Sequence, residues 1–265
     1  MTDIQRYGPW ALVTGASDGI GKALAALIAA AGINVVLAAR NEAKLAALAG
    51  EIRAAHDVET LVVSADLADP AGADDIDGLT RHLDIGLVVL AAGFGTTGAF
   101  ADASLATELE MIAVNITAVT RLTHTFARRL TARGGGGIVL FGSIVGWQGV
   151  PGQANYAATK AYVQSFAEGI HNELAPRGVD VLCVAPGPVS SGFGNRAGLT
   201  MTSATAPAVV ARAALNALGH RTTVIPGARA KFLTTALATL PRRVRSRILG
   251  GVIAGMRAPA SAPPG

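Results

Sequence analysis

The chain has 265 residues, a formal net charge of +4, 51% hydrophobic residues and only 15% charged residues. A chain of this length can bury a sizeable core, and this composition argues against intrinsic disorder. Mean hydropathy is +0.43, but no stretch of about 18 residues is apolar and uncharged enough to predict a membrane span. The single cysteine, Cys183, cannot form an intrachain disulfide, and the polar start has no signal-peptide core. These features predict a cytoplasmic protein.

Charge is divided unevenly along the chain. Residues 1–180 hold 12 Lys and Arg and all 18 Asp and Glu, whereas residues 181–265 hold 10 Lys and Arg and no acidic residue. The C-terminal part is therefore either a solvated basic face or a surface that meets an acidic subunit, a phosphate-bearing ligand or a lipid surface. Nucleic acid is disfavoured, because the basic residues are not interleaved with the aromatic residues that single-strand binding needs.

Short apolar runs alternate with longer helical patterns along the chain. The runs cover residues 10–13, 33–39, 58–64, 87–91, 138–141, 179–185 and 223–225, and the helical patterns cover residues 20–31, 42–55, 105–131, 154–175 and 207–218. Runs without polar residues are typical of parallel strands that are covered on both faces. The alternation predicts an α/β protein, a single-domain doubly wound Rossmann fold with a parallel sheet of about seven strands and helices on both faces.

No linker rich in Pro, Gly or Ser interrupts this alternation. We predict that residues 1–227 form the Rossmann-type domain, which includes a substrate loop at residues 190–205. Residues 228–265 are predicted to be a basic, apolar C-terminal extension rather than an independent domain, with a frayed tail from Ala258.

The first predicted strand leads into the segment TGASDGIG at residues 14–21, and a helix follows. Glycines at such a turn let the backbone approach a pyrophosphate, which then lies on the free N–H groups of the helix N-terminus. A P-loop is excluded, because its first glycine would fall at Ala16 and its Ser or Thr would fall at Ala23. A glycine-rich turn that serves packing alone is the alternative.

The second predicted strand ends at Arg40, and the nearest acidic residue, Glu42, lies inside the next helix. A carboxylate at this strand end would bind the ribose 2′-hydroxyl of NAD, whereas a guanidinium binds a 2′-phosphate with two hydrogen bonds. The sequence therefore favours NADP, with a surface arginine as the alternative.

Two side chains on the helix after the fifth strand stand four residues apart, Tyr156 and Lys160, so they share a face. Ser143 lies at the end of the preceding strand, at the carboxyl edge where ligands bind in open α/β sheets. A ligand-type loop, Pro186-Gly187-Pro188-Val189, ends the following strand.

Together these features resemble the short-chain dehydrogenase/reductase family, and the resemblance extends to about residue 225. It is carried by TGASDGIG at 14–21, Asp66-Leu67, Asn115, Ser143, Tyr156 with Lys160, and Pro186-Gly187-Pro188-Val189. The chain departs from the family where Asn-Asn-Ala-Gly is expected and Leu90-Ala91-Ala92-Gly93 stands instead.

The resemblance implies a role for each matching residue. Tyr156 is the general acid/base, Ser143 holds the substrate carbonyl, Lys160 binds the nicotinamide ribose and lowers the pKa of the tyrosine, and Asn115 supports a proton-relay water. The predicted cofactor contacts are Gly15, Ser17, Asp18, Gly19, Ile20, Gly21, Arg40, Asp66, Leu67, Ala91, Ala92, Gly93, Tyr156, Lys160, Pro186, Gly187, Val189 and Ser191. No metal is predicted, since the five histidines are scattered.

Three further features concern the substrate and partners. The loop at about 190–203 is predicted to close over a substrate, and Phe94, Trp147 and Phe193 are candidates for an apolar pocket. The basic, apolar segment 231–256, interrupted by Pro241, either lies on an anionic membrane surface, packs on a partner subunit or covers the cleft. The family resemblance implies a homodimer or homotetramer.

The sequence thus predicts an NADP-dependent enzyme that reduces a carbonyl or oxidises the matching alcohol. Its substrate is expected to be lipophilic, such as a long-chain 3-oxoacyl compound, a steroid-like compound or another ketone. The alternative is a non-catalytic NADP-binding redox sensor or scaffold.

Overall fold

The computed structural model describes residues 4–200 and 204–256 and contains one seven-stranded sheet. Its strands are β1 (Trp10–Thr14), β2 (Asn34–Ala39), β3 (Thr60–Ser64), β4 (Ile85–Leu90), β5 (Gly136–Phe141), β6 (Val179–Val184) and β7 (Thr223–Val224). They lie in the order β3-β2-β1-β4-β5-β6-β7, and every neighbouring pair is parallel. The order reverses between β1 and β4, which is the switch point where such sheets bind ligands.

Ten α-helices accompany the sheet within the described residues. They are α1 (Gly19–Ala29), α2 (Glu42–Ala55), α3 (Pro70–Thr80), α4 (Leu105–Ile112), α5 (Val119–Arg133), α6 (Ala154–Leu174), α7 (Gly192–Arg196), α8 (Pro207–Ala217), α9 (Ala228–Ala238) and α10 (Arg242–Met256). A π-helical segment, Ala113–Ala118, joins α4 to α5 without a break.

Successive side chains along each strand enter two different cores, because side chains alternate between the faces of a sheet. Val13 of β1 packs on the side of α1, α2 and α8, where Leu24 and Val210 are buried. Its neighbour Leu12 packs on the side of α3, α5 and α6, where Phe126 is buried. The predicted doubly wound α/β fold is confirmed.

Helix α3 was not among the predicted elements. Its sequence contains two glycines and three aspartates. Of its described side chains, Ala73 and Ile76 are the two that pack in the hydrophobic core. The signal for this helix is at its start instead, where Asp69 accepts a hydrogen bond from the Ala71 N–H and Pro70 occupies the first turn. Capping chemistry therefore identifies this helix where hydrophobic periodicity does not.

Strand β5 begins at Gly136, two residues before the predicted run. A β-carbon on Gly136 would come within 2.7 Å of the Gly86 carbonyl oxygen and would also overlap Leu130. The glycine thus allows β4 and α5 to approach the start of β5 closely, which an apolar pattern does not reveal.

The C-terminal helices form a third apolar cluster at the carboxyl edge of the sheet. Leu237 of α9 and Leu249 and Ile253 of α10 pack there in the same cluster as Tyr156. Pro241 separates α9 from α10, as the sequence predicts. The domain boundary at residue 227 stays a prediction, and the tail from Ala258 lies outside the described residues. Among the helices of residues 4–200 and 204–256, none combines the length and apolarity that crossing a bilayer requires.

Candidate active site

A cleft of about 590 Å³ opens at the carboxyl edge of the sheet. Every predicted cofactor contact lines it, and so do Ser143 and Tyr156. Asn115, the fourth predicted catalytic residue, is not among the described residues that line the cleft.

The glycine-rich turn forms one end of this cleft. Gly15 has φ of +66°, and a β-carbon on it would lie 2.9 Å from backbone atoms of Ala92. Asp18, the N-cap residue of α1, does not cap the helix with its side chain. The first-turn N–H groups of α1 therefore face the cleft without a side-chain partner from Asp18, which fits the binding of a pyrophosphate.

A cluster of charges lies beside the ends of β2 and β3. The Nη1 atom of Arg40 is 3.5 Å from Glu110 Oε1 and 4.0 Å from Asp66 Oδ2, and the Arg40 side chain is half exposed. Arg40 is thus positioned to bind an anionic group such as a 2′-phosphate. Asp66 also accepts a hydrogen bond from the Ala68 N–H, so its side chain caps the backbone turn after β3.

The same Glu110 oxygen accepts a hydrogen bond of 2.8 Å from Arg196 Nη2 on α7. The Arg196 guanidinium lies 3.6 Å above the ring of Phe94. At the other end of α7, the Gly192 N–H donates to Asp18 Oδ2 over 2.8 Å. Helix α7 is therefore tied to both walls of the cleft. The sequence did not indicate Glu110 or Arg196, because neither belongs to a motif.

Ser143, Tyr156 and Lys160 converge on the floor of the cleft and are all nearly buried. Ser143 ends the turn after β5, where its hydroxyl is 3.4 Å from the Pro186 carbonyl oxygen. Tyr156 lies in the first turn of α6, where the Ser143 hydroxyl acts to lower the pKa of its phenol. Lys160 lies one turn later, with its Nζ 5.7 Å from the centre of the Tyr156 ring.

Burial controls the protonation of this group. It raises the pKa of the Tyr156 phenol, although the hydrogen bond with Ser143 acts in the opposite direction. Burial also lowers the pKa of Lys160 to about 8, and Lys160 Nζ donates a 2.9 Å hydrogen bond to the Phe141 carbonyl. Burial is the larger of the two causes that act on Tyr156, so the phenol is protonated at neutral pH. That Lys160 lowers the pKa of Tyr156 stays a prediction.

Asn115 sits in the π-helical segment and holds the loop after β4. Its Nδ2 donates to the Phe94 carbonyl over 2.8 Å and to Thr159 Oγ1 over 3.1 Å, and its Oδ1 accepts from the Phe94 N–H over 3.1 Å. These contacts make it an anchor for the loop that borders Lys160, and its role toward a relay water stays a prediction. In the departing segment, the Ala92 N–H donates to Thr14 Oγ1 over 3.2 Å, so the turn is held without the missing asparagines.

The half of the cleft beyond Tyr156 is mainly apolar. Phe193 packs on Tyr156 with ring centres 5.5 Å apart. The other apolar side chains of this half are Phe94, Leu199, Leu233, Leu249, Val252, Ile253 and Met256. Trp147, a third aromatic candidate for this pocket, lines a separate cavity of about 140 Å³ under α9. Part of the predicted substrate loop, residues 201–203, lies outside the described residues.

The remaining candidates for chemistry are the single cysteine and any metal-binding cluster. Cys183 is fully buried in β6, and burial raises the pKa of its thiol to about 11. An unreactive thiol follows from this environment. In residues 4–200 and 204–256, no group of three or more His, Cys, Asp or Glu side chains is arranged to hold a metal ion.

The sequence profile of the short chain dehydrogenase family matches residues 9–201. The chain belongs to this family. It is an oxidoreductase that acts on CH–OH or C=O groups, as the sequence predicts.

Curated relatives and solved structures extend the comparison. The chain is 34% identical over 234 residues to a 7beta-hydroxysteroid dehydrogenase of Collinsella aerofaciens, with 86% of this chain and 89% of the relative covered. It is 33% identical over 241 residues to a very-long-chain 3-oxoacyl-CoA reductase of Meyerozyma guilliermondii, covering 87% of this chain and 69% of the relative.

Two solved structures share the fold closely. One, from a study of 7beta-hydroxysteroid dehydrogenase stereoselectivity, has a TM-score of 0.86 and 31% identity and covers 93% of this chain and 99% of its own. The other is a short-chain dehydrogenase from Sphingobium yanoikuyae in complex with NADPH, with a TM-score of 0.79 and 30% identity, covering 96% and 99% of the two chains.

Proposed function

We propose that the protein uses NADPH to reduce a lipophilic ketone, with Tyr156 as the general acid, and catalyses the reverse oxidation of the alcohol. The observation that carries this proposal is a single cleft with two different halves. One half presents glycine backbone and a guanidinium to a nucleotide, the other is apolar, and the buried Tyr156–Ser143 pair lies where they meet.

NADP(H) fits the nucleotide half of the cleft. The first turn of α1 offers N–H groups for the pyrophosphate, and Arg40 stands at the end of β2 where a carboxylate would favour NAD. The related dehydrogenase from Sphingobium yanoikuyae was solved with NADPH. When bound, the cofactor supplies the hydride.

The residues of the floor then handle the proton and the developing charge. Tyr156 is protonated at neutral pH, so it donates its proton to the carbonyl oxygen as the carbon is reduced. Ser143 donates a hydrogen bond to the same oxygen and stabilises its negative charge in the transition state. Lys160, with a pKa of about 8, keeps most of its positive charge at neutral pH and stabilises the phenolate that the transfer leaves behind.

The substrate half favours a large, apolar ketone. Its wall is mainly apolar side chains of α7, α9 and α10, with Gln153 and Arg196 as polar members, so affinity comes mainly from apolar burial. The names of the relatives, a 7beta-hydroxysteroid dehydrogenase and a very-long-chain 3-oxoacyl-CoA reductase, support multi-ring and long-chain ketones as the first compounds to test. We also expect a cytoplasmic homodimer or homotetramer, as the sequence predicts.

The proposal is tested in two steps with the full chain. The first step titrates NADPH and NADH by tryptophan and nucleotide fluorescence, and tighter binding of NADPH is expected. The second step follows NADPH oxidation with a multi-ring ketone, a long-chain 3-oxoacyl ester and cyclohexanone. Turnover of the first two compounds supports the proposal, whereas NADPH binding without turnover of any ketone would favour the redox sensor or scaffold.

A further inference from the structure

Helix α10 carries an apolar stripe that is partly exposed to solvent. Val244, Ile248 and Val252 are 39%, 40% and 44% exposed, and their spacing of four residues places them on one side of the helix. Phe232 on α9 is 77% exposed. Three aliphatic side chains at this exposure in a row on one side of a helix indicate a surface that contacts another apolar phase.

Within the described residues, the cations of α9 and α10 have no acidic partners. Residues 228–256 hold six Lys and Arg and no Asp or Glu. They are Arg229, Lys231, Arg242, Arg243, Arg245 and Arg247. In the part of the chain that the structure describes, no carboxylate lies within ion-pair distance of any of them.

The order of these residues around α10 is amphipathic. At 100° per residue, the stripe lies between the buried side, which carries Leu249 and Ile253, and a basic side, which carries Arg243 and Arg247. An exposed apolar stripe with a basic flank is the pattern of helices that lie in the plane of a membrane interface.

The stripe also borders the substrate half of the cleft. Val252 belongs to both, because it is exposed on α10 and lines the cleft together with Leu249 and Met256. An apolar compound that leaves a lipid layer at the stripe would therefore meet an apolar wall continuous with the site of Tyr156.

We infer that the outer face of α9 and α10 docks on an anionic lipid surface, with the rim of the cleft at Val252 turned toward the lipid. The role in substrate delivery rests on the proposed function, whereas the docking itself does not. A second copy of the chain fits this face less well, because a two-fold contact would bring the basic sides of two α10 helices together. Because its flank is basic, this face is complementary in charge to an anionic lipid surface.

The test is vesicle sedimentation of the full chain, with vesicles of phosphatidylcholine alone and with added phosphatidylglycerol. We expect sedimentation with the anionic vesicles only. Because a cation near such a surface contributes about fivefold in binding, the double variant Arg243→Gln, Arg247→Gln should weaken binding about 25-fold. Phe232→Ser and Ile248→Ser should each weaken it severalfold.

Two variants outside α9 and α10 serve as matched controls. Arg212→Gln removes one exposed cation of α8, and Leu79→Ser removes one exposed leucine of α3. Both should bind anionic vesicles as the unchanged protein does, and all variants should keep its melting temperature.

Three results would overturn the inference. They are no sedimentation with anionic vesicles, equal sedimentation with neutral vesicles, and equal weakening in the control variants. If Ile248→Ser instead lowers the mass measured by light scattering while no vesicle is bound, the face is an interface between copies. Failure of the proposed function is recognised separately, as vesicle binding without reduction of any ketone.

Discussion

The floor of the cleft, formed by Ser143, Tyr156 and Lys160, differs in kind from the cover formed by α9 and α10. The polar atoms of the floor are tied to one another or to backbone carbonyls, such as those of Phe141 and Pro186. The cover contributes apolar side chains to the cleft and leaves a basic, apolar face exposed.

This difference separates two tasks. Proton transfer needs groups held in fixed geometry and shielded from water, because their pKa values and orientation depend on burial and on specific hydrogen bonds. Selection of a substrate needs shape and apolar area, which many combinations of side chains provide. We therefore expect substitutions in the floor to change the chemistry, and substitutions in the cover to change which ketones are accepted.

The largest effect is expected for Tyr156→Phe. Loss of the general acid should lower kcat/KM for ketone reduction about 1000-fold, while the Kd of NADPH should stay within about twofold because the phenol ring remains. Stopped-flow or steady-state absorbance measures the first quantity and fluorescence titration the second.

The control for this variant is Tyr162→Phe on the same helix, where the hydroxyl contacts Thr120 outside the cleft. It should retain the activity of the unchanged protein. If Tyr156→Phe still reduced the ketone at a rate close to that of the unchanged protein, Tyr156 would not be the general acid. The main contrast between floor and cover would then be lost.

The next effect concerns the stability of the floor. The pKa of Lys160 in the folded chain is about 8, below its ordinary value of 10.5. Between these values the unfolded chain binds more protons than the folded chain, so this residue makes stability rise with pH across that interval. The free energy of unfolding of the unchanged protein, relative to Lys160→Met, should rise by about 2 to 3 kcal/mol between pH 7 and pH 10.

Urea unfolding of the cofactor-free protein at several pH values measures this difference. Lys231→Met, which removes an exposed lysine of α9, should show no such dependence on pH. A difference that stays constant between pH 7 and pH 10 would mean that burial does not perturb the Lys160 ammonium.

A smaller effect is expected at the nucleotide end of the cleft. Arg40→Ala removes charge-assisted hydrogen bonds to a 2′-phosphate and should weaken NADPH binding about 10- to 30-fold without changing NADH binding. Arg196→Ala is the matched control, because it also removes a partner of Glu110 but should leave the ratio of the two affinities unchanged. If Arg40→Ala weakened the binding of NADPH and NADH equally, Arg40 would not contact the 2′-phosphate.

The smallest effect is expected in the cover. Val252→Ala removes part of the apolar wall and should raise the KM of a multi-ring ketone about threefold, since this side chain is partly exposed and each buried methylene contributes about 0.8 kcal/mol. The KM of cyclohexanone and the kcat of both ketones should not change. A change in kcat for the small ketone would show that the cover also acts on the chemistry of the floor.

Much of the site could be predicted because its members are marked by local patterns. The turn at residues 14–21 and the Tyr156–Lys160 spacing each lie within one strand–helix junction or one helix, and parallel strands bring their carboxyl ends to one edge. Helix α3 was missed because a cap and a proline, rather than apolar periodicity, mark it. Glu110 and Arg196 could not be found, since the residues of this pair are 86 positions apart.

By itself, the sequence determined the α/β fold, the position of the nucleotide turn and the residues of the floor. These depend on backbone conformation and on spacing within single elements, which neighbouring residues control. Only the tertiary structure decided that burial dominates the pKa of Tyr156, that Asn115 anchors the Phe94 loop, and that Trp147 faces a different cavity. It also decided that α10 borders the cleft at Val252, because such contacts depend on how side chains distant in sequence pack together.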